Sequence, residues 1–398
     1  MGSDDTMTKK RRVLLRAPLL TISGYGVHSR QIFEYLFYRD DIELTVELLN
    51  WGVTSWMINP AMEEGLIGKI MECSKELKPP YDLSVQIQLP DEWNHKLAHR
   101  NIGVSAFVEC TSCNPTWVDK CNLMDMVIVP STFIKNVVQK SGSLAAPIHV
   151  VPEWFNYSLL DDCSQESEMY QFEKKFNFLI LGQLTGNKPD TDRKNTFNMV
   201  KWFCETFEGN TQVGLILKTN VGRCTLNDRN ITLNVAKQLL REVRKGLFPK
   251  VTILHGNLSS REIAGLYQHK NVKCLLSATR GEGYGLPIID AAAAAMPVIV
   301  TGWSGHMEFI NKKYASILKY NLVKIPNDKI DNRIFIKGVS WANVDERDFK
   351  KKILEVYKNF KIKQQKADVL QKEVITKFRK EKVCKLYDNI IEKFLISG

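Results

Sequence analysis

The sequence predicts an α/β protein of two domains, each with a glycine-containing turn between a strand and a helix. Three observations predict it. Residues 272–276 (VKCLL), a turn with glycines at 281, 283 and 285, a helix opened by Pro287 and carried by the alanines 291–295, and 298–300 (VIV) read as strand, loop, helix, strand. Residues 12–16 (RVLLR), then Ser23-Gly24-Tyr25-Gly26-Val27-His28 and a helical stretch to about residue 38, repeat that plan near the N-terminus. The length of 398 residues suits two ordinary domains, and 44% hydrophobic with 25% charged residues is a globular composition.

Taken in order, the strand at 12–16 and the turn after it open an α/β domain of the nucleotide-binding kind. The turn reads G-x-G-x-x-S and lacks the third glycine of a dinucleotide fingerprint, which argues against a dehydrogenase. Residues 42–49 alternate like a strand, 60–75 read as a helix, and 83–89 (LSVQIQL) as a strand. The strand predicted at 101–108 delivers Glu109 at its carboxyl end, where ligands of open α/β sheets collect. A strand at 126–131, a helix at 132–140 and a strand at 148–153 close the first domain, 1–155. The polar, acidic stretch 157–172 marks a linker, 156–174. The second domain, 175–345, has strands at 176–183, 213–218 and 251–255, and helices from Arg193 to about residue 207 and over 232–245. Ser259 caps a helix ending at Gln268. After the central unit, 305–308 open another helix and 317–323 end the sheet. Two helical segments, 346–360 and 367–396, fill the remainder, 346–398.

The central turn has a chemical use. A helix N-terminus offers unpaired N–H groups and a partial positive charge, which suits a phosphate, and glycine lets the backbone come close to it. Glu282 lies in the turn and Asp290 eight positions on; one carboxylate could face a reacting group while the other holds ribose hydroxyls. The alternative is a glycine-rich turn with two solvated acids. Arg193 and Lys194 put two cations at another helix start, which suits an anionic group; otherwise they are surface charges.

The stretch Glu282-Gly283-Tyr284-Gly285-Leu286-Pro287-Ile288-Ile289-Asp290, then Ala291 and Met296-Pro297-Val298, resembles the signature of retaining glycosyltransferases of family 4, which have the GT-B fold. Asp290 stands for the usual glutamate, Tyr284 for phenylalanine and Ala295 for glycine. The resemblance implies two Rossmann-like domains facing across a cleft, with a C-terminal helix crossing back to the first. It implies transfer of a sugar from a GDP- or UDP-linked donor to a glycan or other hydroxyl acceptor, with retention and with no cofactor or metal. Glu282 would contact donor hydroxyls, Lys194 and Arg193 the departing diphosphate, and Asp290 the ribose. Gly24, Tyr25 and Gly26 would lie beneath the diphosphate, with Gly283, Tyr284, Gly285 and Leu286 around it. Glu308 recurs near the donor, and 259–268 lie beside the base. Gln183 occupies a position where relatives carry arginine. Glu109 stands where many carry histidine, either steering an acceptor hydroxyl or capping a helix.

The net charge of +11 favours anionic partners. With the resemblance these are nucleotide-sugar phosphates, and no nucleic acid is expected. The surplus at 350–352 and 358–385 reads as solvated helix faces, with peripheral contact on an anionic membrane as the functional alternative. Nine scattered cysteines argue for a reducing, cytoplasmic setting. Cys110-x-x-Cys113 with Cys121 lacks a fourth ligand at metal-finger spacing and reads as buried thiols. Asp190-Thr191-Asp192 matches a metal-binding triplet of another transferase fold, a three-residue pattern that arises easily by chance. No run reaches the ~18 apolar residues of a membrane span, and the polar, basic N-terminus does not read as a secretory signal. A GT-B epimerase or phosphorylase and a non-catalytic sugar-binding relative are the rival readings.

Overall fold

The computed structural model of the chain describes residues 10–74, 76–183 and 188–396. The first sheet is built from β1 (Arg11–Ala17), β2 (Ile42–Leu48), β3 (Leu83–Ile87), β4 (Arg100–Val104), β5 (Met126–Val129) and β6 (Ile148–Val150) in the order β2-β1-β3-β4-β5-β6. Every pairing is parallel. Parallel strands need cover on both faces, so their sequences run apolar without alternation; β3 and β5 are buried throughout. The cover comes from α1 (Gly24–Phe37), α2 (Leu66–Cys73), α3 (Pro115–Cys121) and α4 (Thr132–Ser141).

After α5 (Ser164–Glu168), the second sheet repeats the architecture with β7 (Phe176–Leu181), β8 (Val213–Thr219), β9 (Lys250–His255), β10 (Val272–Ser277), β11 (Val298–Thr301) and β12 (Ser316–Leu318). Its order is β12-β11-β10-β7-β8-β9, again parallel. Its helices are α6 (Thr196–Thr206), α7 (Leu226–Val243), α8 (Ser260–Gln268) and α9 (Leu286–Ala293). An antiparallel hairpin, β13 (Tyr320–Lys324) and β14 (Ser340–Val344), follows, then α10 (Glu346–Lys358), α11 (Phe360–Lys377) and α12 (Lys380–Ile396).

Several elements differ from the sequence expectation for local reasons. Helix α1 starts at Gly24, because the Ser23 hydroxyl accepts the Gly26 amide at 2.9 Å and caps it; the glycine turn is therefore the first turn of the helix. Helix α7 begins at Leu226, two turns before residue 232, behind a reciprocal cap of Thr225 and Asp228. The helix expected at 60–75 is confined to Leu66–Cys73, since Glu63, Glu64 and Gly65 all have positive φ; Lys75 lies outside the described residues. Residues 305–308 form a single 3-10 turn. Residues 157–172 contain a 3-10 turn and α5, with Leu159, Cys163 and Phe172 buried in the second core.

The two domains share material. Val383, Tyr387, Ile391 and Leu395 of α12 are buried in the core of the first sheet, beside Val13, Phe33 and Leu36. Burial of an aliphatic or aromatic side chain is worth about 1.5–3 kcal/mol, so this helix crosses back as a structural part of the first domain. Asp388 accepts from Arg39 at 2.9 Å, and Lys380 pairs with Glu34. Conversely, Val339 and Trp341 of the hairpin segment pack with Trp93, Phe107 and Trp117 of the first domain. The Thr111 amide donates to the Ser340 carbonyl at 2.9 Å.

Candidate active site in the interdomain cleft

The turn between β10 and α9 faces the first domain at close range. A side chain at Gly283 would meet Ala106 at 2.9 Å, and one at Gly281 would meet the Glu109 carbonyl at 2.3 Å, so only glycine lets the two backbones approach this far. Gly285 has φ +105 and starts the helix from left-handed backbone. Ser131, the cap of α4, donates its hydroxyl to the Gly283 carbonyl at 2.7 Å. Among the described residues, the amides of 283–286 have no protein acceptor.

Glu282 sits in the middle of a charge cluster. The Lys194 ammonium donates to both of its oxygens, at 2.7 and 2.8 Å. Arg193 Nη1 donates to the Gly281 carbonyl at 2.7 Å, and lies 3.4 Å from Glu109 and 3.7 Å from Glu282. Burial opposes ionisation of Glu282, but Lys194 and Arg193 more than offset it and hold the carboxyl down at about 2. For Arg193, burial opposes the charge, and Glu109 and Glu282 raise its pKa above the ordinary value. The four residues assigned catalytic roles thus meet, two from the head of α6, one from the glycine turn and one from the loop after β4.

Other side chains hold this cluster. Glu282 donates its amide to the Ser304 hydroxyl at 2.9 Å, and its carbonyl accepts the Gly305 amide at 2.8 Å. His306 Nε2 donates to the Thr301 carbonyl at 2.7 Å, which leaves Nδ1 as the acceptor facing Ser304 at 3.4 Å. Burial holds His306 below its ordinary pKa. The buried Arg280 hydrogen-bonds Asn343 at 2.7 Å and packs over Trp341. None of these braces has a local sequence signature; the partners join only through the fold.

The remaining candidates are distributed around the turn. Tyr25, in the first turn of α1 with Gly24 and Gly26, hydrogen-bonds Ser105 at 2.9 Å and accepts the Ala106 amide at 3.0 Å, bracing the loop that touches Gly283. Tyr284 points away from the turn and donates to the Glu153 carbonyl at 2.6 Å. One oxygen of Asp290 accepts the Asn156 amide at 2.8 Å, and burial pushes its carboxyl up to about 7, against the lowering effect of that amide. Glu308 accepts the amide of Thr132 at 2.8 Å and its hydroxyl at 3.2 Å, so it caps α4 across the domain boundary. Gln183 is exposed at the end of β7, next to residues 184–187, which lie outside the described residues.

Two concavities open at the carboxyl ends of the second sheet. One, between β7 and β10, is lined by Gly182, Lys194, Ser277, Glu282, Gly285 and Pro287 among others. The other, between β8 and β9, is lined by Lys218, Arg229, His255, Gly256 and Leu258 among others. They lie two strand spacings apart, roughly 10 Å. Burial lowers the Lys218 ammonium to about 8, and Lys218 donates to Asn220 and to the Gly256 carbonyl. Asp192, of the Asp-x-Asp triplet, accepts the Thr196 amide at 2.6 Å at the head of α6. Among the described residues no two cysteines are joined in a disulfide, and Cys110, Cys113 and Cys121 are buried. Among the described residues no group of side chains is arranged to hold a metal, and no helix is long and apolar enough to cross a membrane.

The chain is similar in fold to proteins of known structure. It spans the whole of three solved structures. HepE from Anabaena, in complex with UDP and glucose, matches at 13% identity over 96% of this chain and 100% of that one, with a TM-score of 0.62. A glycosyltransferase from Rickettsia africae matches at 14% identity, 98% and 100% coverage and a TM-score of 0.67. The fold is GT-B. Sucrose-phosphate synthase from Thermosynechococcus elongatus has the same GT-B arrangement, at 13% identity, 98% and 100% coverage and a TM-score of 0.66. Residues 234–367, from within α7 to α11, match the family described as glycosyl transferases group 1. No curated protein matches the sequence.

Proposed function

We propose that the protein moves a sugar from a nucleoside-diphosphate donor, a GDP- or UDP-sugar, to a hydroxyl of a glycan or other acceptor, with the anomeric configuration retained. The observation that carries this reading is the charge cluster at the head of α9. Two cations, Lys194 and Arg193, and a row of amides at 283–286 that have no acceptor among the described residues converge beside the buried Glu282. A diphosphate leaving group needs those elements and few others. The match of 234–367 to glycosyl transferases group 1 supports it, because that segment includes the turn and α9.

The donor would run along the carboxyl ends of the second sheet. The diphosphate would lie over the head of α9 and the base in the concavity between β8 and β9. HepE, described in complex with UDP-glucose, gives a precedent for such a donor on this fold. Lys194 and Arg193 pair here with Glu282 and Glu109, and would turn toward the departing phosphates as negative charge develops. Glu282 would then hold donor hydroxyls, and the second oxygen of Asp290 a ribose hydroxyl. Glu109, on the first domain and 3.4 Å from Arg193, would orient the acceptor hydroxyl. A phosphate oxygen would take the acceptor proton on the same face of the sugar. The donor is a substrate, and the reading assigns no cofactor and no metal; activity abolished by a chelator and restored by manganese would reverse that assignment. Nine cysteines with no disulfide among the described residues fit a cytoplasmic setting, and the lysines exposed on α10 and α11 fit peripheral contact with an anionic membrane.

Two observations favour a second reading, a nucleotide-sugar-binding relative without turnover: one oxygen of Asp290 is occupied by the Asn156 amide, and Glu109 replaces a histidine frequent in the resembled family. A single series separates the two. GDP- and UDP-sugars are screened by thermal shift on the full chain, since a ligand stabilises in proportion to the logarithm of its concentration over Kd. Hits are then assayed for turnover with labelled donor. Transferase activity predicts a product that Glu282→Ala abolishes while nucleotide stabilisation persists. Stabilisation without product supports the binding reading, and no stabilisation by any nucleotide sugar overturns both.

A further inference from the structure

We infer that residues 51–65 of the first domain form a strap across the nucleotide end of the cleft, latched by Glu63 on the head of α8. The inference rests on the donor placement proposed above. The concavity between β8 and β9 is lined by Arg229 and Leu233 of α7 and by Gly256 and Leu258 of the loop before α8; the loop 220–225 leads into α7. Asn257 ties these loops together: it accepts from Asn220 at 3.0 Å and from the Cys224 thiol at 3.0 Å. The strap touches both sides. The Ser55 hydroxyl donates to the Arg223 carbonyl at 2.7 Å. Eight residues on, one Glu63 oxygen accepts the Ser260 hydroxyl, and the other accepts the Ser260 amide at 3.4 Å. A carboxylate at the first residue of α8 also meets the favourable end of the helix dipole.

The strap belongs to the element that starts α1. Ile22 donates its amide to the Ser55 carbonyl at 2.9 Å, Met57 donates to the Leu20 carbonyl at 2.8 Å, and Thr21 and Trp56 form an antiparallel bridge. The buried Arg30 donates to the carbonyls of Leu19 and Thr21, fixing the same stretch from below. Ser23 and the first turn of α1 follow directly. A shift of the strap therefore moves the first turn of α1, whose Tyr25 braces the loop that touches Gly283. The latch end also stores strain: Glu63 and Glu64 have φ +50 and +56, successive left-handed residues with side chains, which persist only where surroundings over-determine them. A nucleotide in that concavity would bear on Gly256 and Leu258, just before the latch residue Ser260, and on α7, just after the loop that holds Ser55, so its departure would loosen the strap.

The test uses the full chain with fluorescent GDP and UDP analogues. Dissociation rates are measured by stopped-flow chase for wild type, Glu63→Ala, Glu63→Gln and Ser55→Ala. Backbone amide exchange over 57–66 and 260–262 is followed with and without nucleotide. The strap predicts release about tenfold faster in Glu63→Ala, an intermediate rate in Glu63→Gln, and nucleotide-induced protection of 57–66 that Glu63→Ala loses. A melting temperature within a degree of wild type, required of each variant, excludes a folding defect. Release within twofold of wild type in Glu63→Ala, or indifference of 57–66 to nucleotide, overturns the strap. Failure of the wild type to bind either nucleotide overturns the donor reading instead.

Discussion

Replacing Lys194 by Met keeps most of the aliphatic stem and removes the ammonium that grips both oxygens of Glu282. Glu282 would then be a buried carboxylate with Arg193, 3.7 Å away, as its remaining cation. Removing one partner of a buried pair costs about 3–5 kcal/mol. Arg193 keeps the expectation near the lower end, about 3 kcal/mol, or roughly 6–12 °C in Tm if the second domain unfolds as a unit. The pH dependence supplies the sharper signature. In the wild type the folded carboxyl is held at about 2, below its ordinary 4.5, so its contribution is complete above 4.5 and is lost as pH falls toward 2. Without Lys194, burial dominates and the folded pKa rises. The penalty in Lys194→Met is then largest at neutral pH and shrinks as acid protonates Glu282. Thermal melts from pH 4 to 8 read both effects, and Lys194→Met/Glu282→Gln should regain most of the loss at pH 7. A variant that melts with wild type at pH 7, a gap that does not narrow in acid, or a double variant no better than the single one would refute the reasoning.

Two further predictions concern neighbouring residues. Ala295 has φ +56 just beyond α9, at the place where the resembled signature has glycine; Ala295→Gly should stabilise by about 1 kcal/mol, since the left-handed region costs an L side chain roughly that much, and an unchanged or lower Tm would count against the strain. Glu153 is buried with an unpartnered oxygen, and burial with the nearby Asp290 pushes its carboxyl up to about 8 from 4.5. The folded state then binds the extra proton, so this group costs stability as pH rises from about 4.5 through 8. Glu153→Gln should flatten the fall in Tm between about pH 5 and 8, and an unaltered slope in that window would exclude Glu153 as its source.

The sheets were legible because parallel strands buried on both faces leave short apolar runs, as at 126–129 and 213–219, and because Pro287 and the alanines mark α9 unambiguously. The boundaries that slipped were set by side-chain caps. Thr225 and Asp228 form a signature visible in the sequence, yet the weak apolar periodicity of 226–231 hid the helix behind it. At 60–65 the polar run looks helical, but Gly65 and its two left-handed neighbours turn the chain instead. At the site, the glycine turn and its adjacent acid pointed to the chemistry, and Lys194 meets Glu282 across 88 positions, a contact that only the motif resemblance foreshadowed. Asp290 on Asn156 and Glu308 on Thr132 were not legible, because each is a carboxylate answering a backbone amide brought up from a distant segment.

Helix α12 has a consequence for how the protein is made. Val383, Tyr387, Ile391 and Leu395 complete an interior whose other fully buried side chains are all translated before residue 155. At 5–20 residues per second, the ribosome needs roughly 10–50 s to travel from the last strand of that sheet to the helix that seals it. The half synthesised first is thus the half finished last, exposing a greasy seam throughout elongation. A nascent chain in that interval is the form that holdase chaperones would be expected to grip.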